Sequence, residues 1–145
     1  MYYLVYSSTA VPGLSEEDLR DILQDSYLRN SNANLTGMLL YCNGKFLQVL
    51  EGAKEDVHAL YYHINKDLRH KDLTVLLEGT IPERNFKDWS MGFKAIDEAT
   101  ARSISGYEDI DQFFTIHPVS NSSHPALIFL TLFYKKNYSD HLQYL

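Results

Sequence analysis

The chain has 145 residues, enough for one domain or one domain plus a tail, and a chain of this size can bury about 68–70% of its unfolded surface without staples. Hydrophobic residues at 45% and charged residues at 22% exclude disorder and low complexity. A net charge of −6 with no basic run argues against a nucleic-acid binder and against an anionic membrane surface. One cysteine, Cys42, excludes an internal disulfide and a cysteine-based metal cluster. The six histidines show no metal-ligand spacing. No signal-peptide pattern opens the chain and no apolar run reaches roughly 18 residues, so the expected location is cytoplasmic. Eleven tyrosines are an excess, and a buried phenol needs a partner.

Residues 2–8 read as a strand rich in Tyr and Val. Ser15, three residues before Asp18, marks a capping-box start, with Glu16 and Glu17 in the first helical turn. Leu19, Ile22, Leu23, Ser26 and Asn30 then fall on one helical face. That stripe begins apolar and ends polar, so Ser26 and Asn30 face inward and need partners. Residues 37–42 and 45–52 are two strands joined by Asn43-Gly44, the strongest short hairpin signal. On the second of them Gln48 shares a face with Phe46 and Leu50.

A second helix is expected over 54–68, with Val57, Leu60, Tyr61, Ile64 and Leu68 as its apolar stripe. Residues 73–81 and 89–96 read as the last two strands. The order β-α-β-β-α-β-β implies an α+β, ferredoxin-like sheet with both helices on one face. Residues 97–107 are small and polar, with a short helix expected, and residues 110–114 form an apolar patch. Pro125 opens a final helix with Ser123 as its expected cap. Residues 126–134 are almost unbroken apolar sequence, and a helix apolar on all sides must be buried on this chain or on another. Covering the sheet's open face is the simpler outcome, and a subunit interface the other.

No dinucleotide, phosphate-loop, metalloprotease or nucleophile-elbow motif is present. Cys42 reads as a small buried hydrophobe. Tyr6, Gln48, Ser26 and Asn30 are more informative. Any one alone is a satisfied core polar group, but four on elements that pack together describe a pocket. Its amides suit a flat heteroaromatic ligand with an imide-like edge.

The segments Tyr6-Ser7-Ser8, Asn30, residues 35–39, residues 46–52, Asp67-Leu68-Arg69-His70 and residues 84–91 together resemble a BLUF domain, the flavin-binding blue-light sensor of the short type. The likeness covers about residues 1–96, leaving 97–145 as a C-terminal helical extension for capping, oligomerisation or partner contact. The resemblance implies non-covalent FAD, with FMN tolerated. It implies that Asn30 meets the flavin's carbonyl edge and that Gln48 lies between Tyr6 and the ring. It places Leu35, Phe46 and Ile64 as walls, and His63, Lys66, Asp67, Arg69 and His70 toward the ribityl or phosphate end. Light-driven electron and proton transfer from Tyr6 through Gln48 would then rearrange hydrogen bonds to the flavin, with Ser26, Trp89 and Met91 relaying the change. Arg29 departs from the His or Asn of some members, which leaves that contact open. The output implied is a downstream signalling protein or altered homo-oligomerisation, without enzymatic turnover. A flavin-free ferredoxin-like interaction module and a flavin redox enzyme are the alternatives, separable by colour and by turnover.

Overall fold

The computed structural model describes residues 1–93, 102, 106–107, 110–116 and 123–137. The elements are β1 (Tyr2–Ala10), α1 (Glu16–Asn32), β2 (Thr36–Cys42), β3 (Lys45–Gly52), α2 (Lys54–Asn65), β4 (His70–Thr80), β5 (Trp89–Phe93), α3 (Ile110–Ile116) and α4 (Pro125–Asn137). The five strands form one sheet in the order β4-β1-β3-β2-β5. All neighbours are antiparallel except β2 and β5. This is the ferredoxin-like α+β arrangement that the element order implies, with β5 added at one edge.

Local sequence explains the joints. Ser15 accepts from the Asp18 N–H at 3.0 Å, and Asp18 accepts from the Ser15 N–H at 3.2 Å, closing the capping box. Asn43 and Gly44 both have positive φ, as a type I′ hairpin turn requires. Gly37 has φ +144, and a Cβ there would lie 1.8 Å from the Val49 carbonyl oxygen, so β2 can approach β3 only with glycine.

The sheet is covered on both faces. Leu19 and Leu23 of α1 and Val57, Leu60 and Ile64 of α2 pack on the inner face, against Leu4, Tyr6, Leu39, Phe46, Leu50 and Met91. The outer face carries Tyr3, Val5, Met38, Leu40, Leu47 and Val49, packed with Phe114 of α3 and Ala126 and Leu130 of α4. The Phe114 and Tyr134 rings stack with centroids 4.5 Å apart. Cys42 is buried there, its thiol 3.2 Å from the Asn137 carbonyl.

Several expectations need correction. Helix α2 stops at Asn65, and Leu68 lies beyond it, 89% exposed. Helical spacing continues in the sequence, but the Lys66 and Asp67 N–H groups turn back onto the His63 and Ile64 carbonyls and end the helix. His124 contributes to the start of α4: its Nδ1 accepts from the Ala126 N–H at 3.1 Å and its carbonyl accepts from the Leu127 N–H at 2.9 Å. Helix α4 is covered by this chain on one side, at Ala126 and Leu130, while Leu132 is 59% exposed, so among the described residues the expected burial is met only in part. Strand β1 runs two residues further than expected and β4 begins three residues earlier. The expected extension of β5 to residue 96 and most of the 97–107 helix lie outside the described residues.

Candidate functional site

The two central strands bring the key pair together. Tyr6 of β1 stands directly opposite Gln48 of β3. The Tyr6 hydroxyl donates to Gln48 Oε1, and both side chains are buried. The row continues across the sheet, because Leu39 of β2 faces Gln48 on one side and Met91 of β5 on the other. Tyr6, Leu39 and Met91 all belong to the inner-face core. The pairing of β1 with β4 shifts register between Val5 and Tyr6, and again between Ser7 and Thr9. Irregularities of this kind re-aim side chains beside a site. Burial raises the pKa of the Tyr6 phenol far above its ordinary value, so the group keeps its proton.

Tyr6 and Gln48 form part of a cleft whose empty volume, mouth included, is about 400 Å³. Its other walls are Ile22, Ser26 and Arg29 from α1, Leu39 and Phe46 from the sheet, and Ile64 from α2. Asp67, Arg69 and His70 stand in the segment leading from α2 into β4. Arg69 grips Asp67 through Nε to Oδ1 at 3.0 Å and Nη2 to Oδ2 at 2.7 Å, and its N–H also donates to Oδ1 at 2.9 Å. These bonds hold the Asp67 carboxyl below the usual carboxylate range and raise the Arg69 pKa. His70 Nε2 lies 2.9 Å from the Ile64 carbonyl, which can only accept, so Nε2 carries a proton. Nδ1 of the same ring lies 2.9 Å from the Ser8 hydroxyl.

Asn30 supplies the test of fit for a flavin. It is 1% exposed, yet among the described residues neither its amide nitrogen nor its amide oxygen has a hydrogen-bond partner. Buried polar groups are normally satisfied, and an orphaned donor beside an orphaned acceptor calls for a ligand offering both. An imide-like ring edge offers both. With Tyr6, Gln48, the aliphatic walls and a charged mouth, the residues present fit a flavin.

The expected site residues fall into three groups. Tyr6, Ser26, Phe46, Gln48, Ile64, Asp67, Arg69 and His70 line the cleft, and so does Arg29. Asn30, Leu35, Trp89 and Met91 are buried without being part of that lining; Leu35 packs against Gly52. His63 and Lys66 are exposed and outside it, with the Lys66 ammonium 4.3 Å from the Tyr62 ring centroid. Ile22 and Leu39 are walls that the sequence reading did not single out. Both had a signal: Ile22 lies on the α1 stripe, and a two-residue turn at Asn43-Gly44 puts residue 39 opposite residue 48. No cluster of metal-ligating side chains occurs among the described residues. No helix among them is long and apolar enough to cross a membrane.

Comparison with known proteins agrees with this geometry. A family model described as sensors of blue-light using FAD matches residues 1–92. Photoactivated adenylate cyclase subunit alpha of Euglena gracilis is 43% identical over 81 residues, which are 56% of this chain and 8% of that protein. Subunit beta from the same organism is 38% identical over 89 residues, 61% of this chain and 10% of that protein. The chain thus spans a tenth or less of the length of these curated relatives. Among solved structures, the photo-activated state of BlsA is similar with a TM-score of 0.62 and 28% identity, covering 88% of this chain and 89% of that one. Klebsiella pneumoniae BlrP1, solved with FMN and cyclic diGMP, is similar with a TM-score of 0.58 and 30% identity, covering 64% of this chain and 25% of that one.

Proposed function

The chain belongs to the BLUF family, the sensors of blue light using FAD, and on that premise we propose that it is a blue-light photoreceptor holding FAD non-covalently in this cleft, with Tyr6 and Gln48 as its photochemical pair. FAD is preferred to FMN on the family's own description. Asn30 would hold the ring's imide edge, Ile22, Leu39, Phe46 and Ile64 would form its walls, and Arg69 and His70 would meet the ribityl or phosphate end. When bound, the flavin supplies absorption of blue light and an excited state that accepts an electron.

The protein's part follows from the Tyr6–Gln48 bond. Tyr6 gives up an electron, and its phenolic proton passes along the existing hydrogen bond to Gln48 Oε1. When electron and proton return to Tyr6, the Gln48 amide is left rotated or tautomerised. A donor then points where an acceptor pointed before. In a dry pocket such a swap is strong enough to bias packed neighbours. The neighbour in line is Met91, reached through Leu39. The Met91 N–H donates to the Gly106 carbonyl at 2.8 Å, and Met91 bridges to Tyr107. Strand β5 therefore leads toward the C-terminal extension, from which the signal passes to a downstream protein or to a change in self-association. Light alters hydrogen bonds and makes no covalent product, so no turnover is proposed.

The observation that carries this reading is the buried Tyr6–Gln48 hydrogen bond at the wall of a cleft whose other wall is α1, the helix that also carries the unpartnered Asn30 amide. Purified protein should be yellow and should show a small red shift under blue light that reverses in the dark. Chromatography of the released cofactor distinguishes FAD from FMN. A colourless protein that takes up neither would end the proposal. Met91→Ala should keep the spectral shift while uncoupling any light-dependent change in size-exclusion behaviour or partner binding; normal output in that variant would refute the β5 route.

A further inference from the structure

Two segments that carry the family likeness, Leu50-Glu51-Gly52 and Arg84-Asn85-Phe86, have no part in the photochemistry. They meet in space. Glu51 lies on β3 three residues past Gln48 and is fully buried. A buried carboxylate is costly unless donors replace its water. Here the Asn85 N–H reaches both oxygens at 3.0 and 2.9 Å, Asn85 Nδ2 donates to Oε2 at 2.9 Å, and the Phe86 N–H donates to Oε1 at 2.9 Å. The Thr36 hydroxyl adds a weaker contact to Oε1 at 3.5 Å. Every partner is a donor, so the position demands acceptors at both oxygens. Arg84 tightens the same joint: Nη1 donates to Thr36 Oγ1 at 2.8 Å and to the Glu51 carbonyl at 2.9 Å, and Nη2 to the Asn34 carbonyl at 2.9 Å.

This joint holds the segment that enters β5. Trp89 begins that strand three residues after Phe86, and the Gly37 N–H donates to the Asp88 carbonyl at 3.3 Å just before it. Strand β5 has five residues, stands at the sheet edge, and among the described strands pairs only with β2. Short edge strands have little pairing of their own to fix register. A one-residue slip would turn Trp89 and Met91 off the inner face.

We infer that Glu51 is a positioning residue: by fixing Arg84-Asn85-Phe86 to the ends of β2 and β3, its carboxylate sets the register of β5 and so holds Trp89 and Met91 in line with Gln48. One strand, β3, thereby carries both the amide that switches and the anchor of the strand that reads it. The register claim concerns the protein alone; its meaning for signalling rests on the photosensor reading.

Glu51→Gln keeps the shape but offers an acceptor at only one of the two positions. In the 145-residue chain in the dark, amide exchange over Trp89–Phe93 should accelerate about 10-fold relative to β1 and β3, the consequence of an unsatisfied buried group. Emission of Trp89, the only tryptophan, should shift to longer wavelength. The light-induced absorption shift should persist, because Tyr6 and Gln48 are untouched. Asn85→Ala removes one donor, should give a smaller effect at the same place, and decides the matter if Glu51→Gln does not fold. Equal acceleration in all five strands, or unchanged β5 exchange and Trp89 emission in the folded variants, would overturn the inference. A loosened β5 with no light shift in the parent protein would leave the register claim standing and remove the photosensor reading.

Discussion

The sheet has two covered faces, and they are finished differently. The outer face is closed by α3 and α4 with apolar side chains: Val5, Met38, Leu40, Val49, Ala126 and Leu130 are all buried, with Phe114 stacked on Tyr134, and the carboxylate buried at its end, Glu51, is fully supplied with donors. The inner face, under α1 and α2, mixes comparable aliphatic packing with Tyr6, Ser26, Asn30 and Gln48, and leaves both polar atoms of Asn30 without a partner among the described residues. A fold needs two covered faces to be stable; it does not need an unsatisfied amide in one of them. The difference separates what holds this protein together from what it senses with, and substitutions on the two faces should fail in different ways.

The largest contrast is expected from Tyr6→Phe. It should keep the fold and the bound flavin and abolish the light-induced shift, read by difference absorption. Gln48→Leu should do the same or nearly so. On the other face, Leu130→Ala should cost about 2–5 kcal/mol in denaturant unfolding, the range for emptying a well-packed aliphatic site, and leave the spectral shift of the folded fraction intact. Asn30→Ala should weaken flavin retention by about 10- to 100-fold, the loss of one or two hydrogen bonds to a buried partner, while the flavin-free protein becomes no less stable, since its amide has nothing to lose.

Two pH effects are smaller. Folding raises the Tyr6 pKa through burial, so the light response should stay flat past pH ~10, where an ordinary phenol ionises. The unfolded chain does ionise there, so fold stability, full below that pH, should fall above it. Folding lowers the Asp67 pKa through its Arg69 hydrogen bonds. The stability that this pair adds is therefore present above the usual carboxylate range and lost as pH falls through it, and thermal unfolding between pH 6 and 3 should flatten in Asp67→Asn. The smallest effect belongs to Leu132→Ser on the exposed flank of α4, within about 0.5 kcal/mol; a larger change, or altered size-exclusion behaviour, would mark that flank as a subunit contact.

Legibility in the sequence followed range. Ser15 with Asp18, and Asn43 with Gly44, act within a few residues, so cap, hairpin and strand register could be read directly, and with them the face shared by Phe46, Gln48 and Leu50. Tyr6 and Asn30 were legible as inward polar groups because strand and helix periodicity place them, and the family resemblance then gave them roles. The end of α2 was not, because Leu68 continues the helical spacing although the backbone has already turned. His63, in the last turn of α2, and Lys66, just past its end, are exposed and stand outside the cleft lining. Glu51 was out of reach for a different reason. Its partners are 34 and 35 residues away, and only the sheet's closure brings them to it. The His124 ring at the start of α4 shows the same limit at close range, since nothing in the sequence marks an imidazole as the acceptor of the Ala126 N–H.

The most direct test is a light-minus-dark absorption spectrum of the parent protein beside Tyr6→Phe, each with flavin bound. The account predicts a reversible red shift in the parent and none in the variant at equal flavin content. A reversible shift retained in Tyr6→Phe, or absent from both, would contradict it.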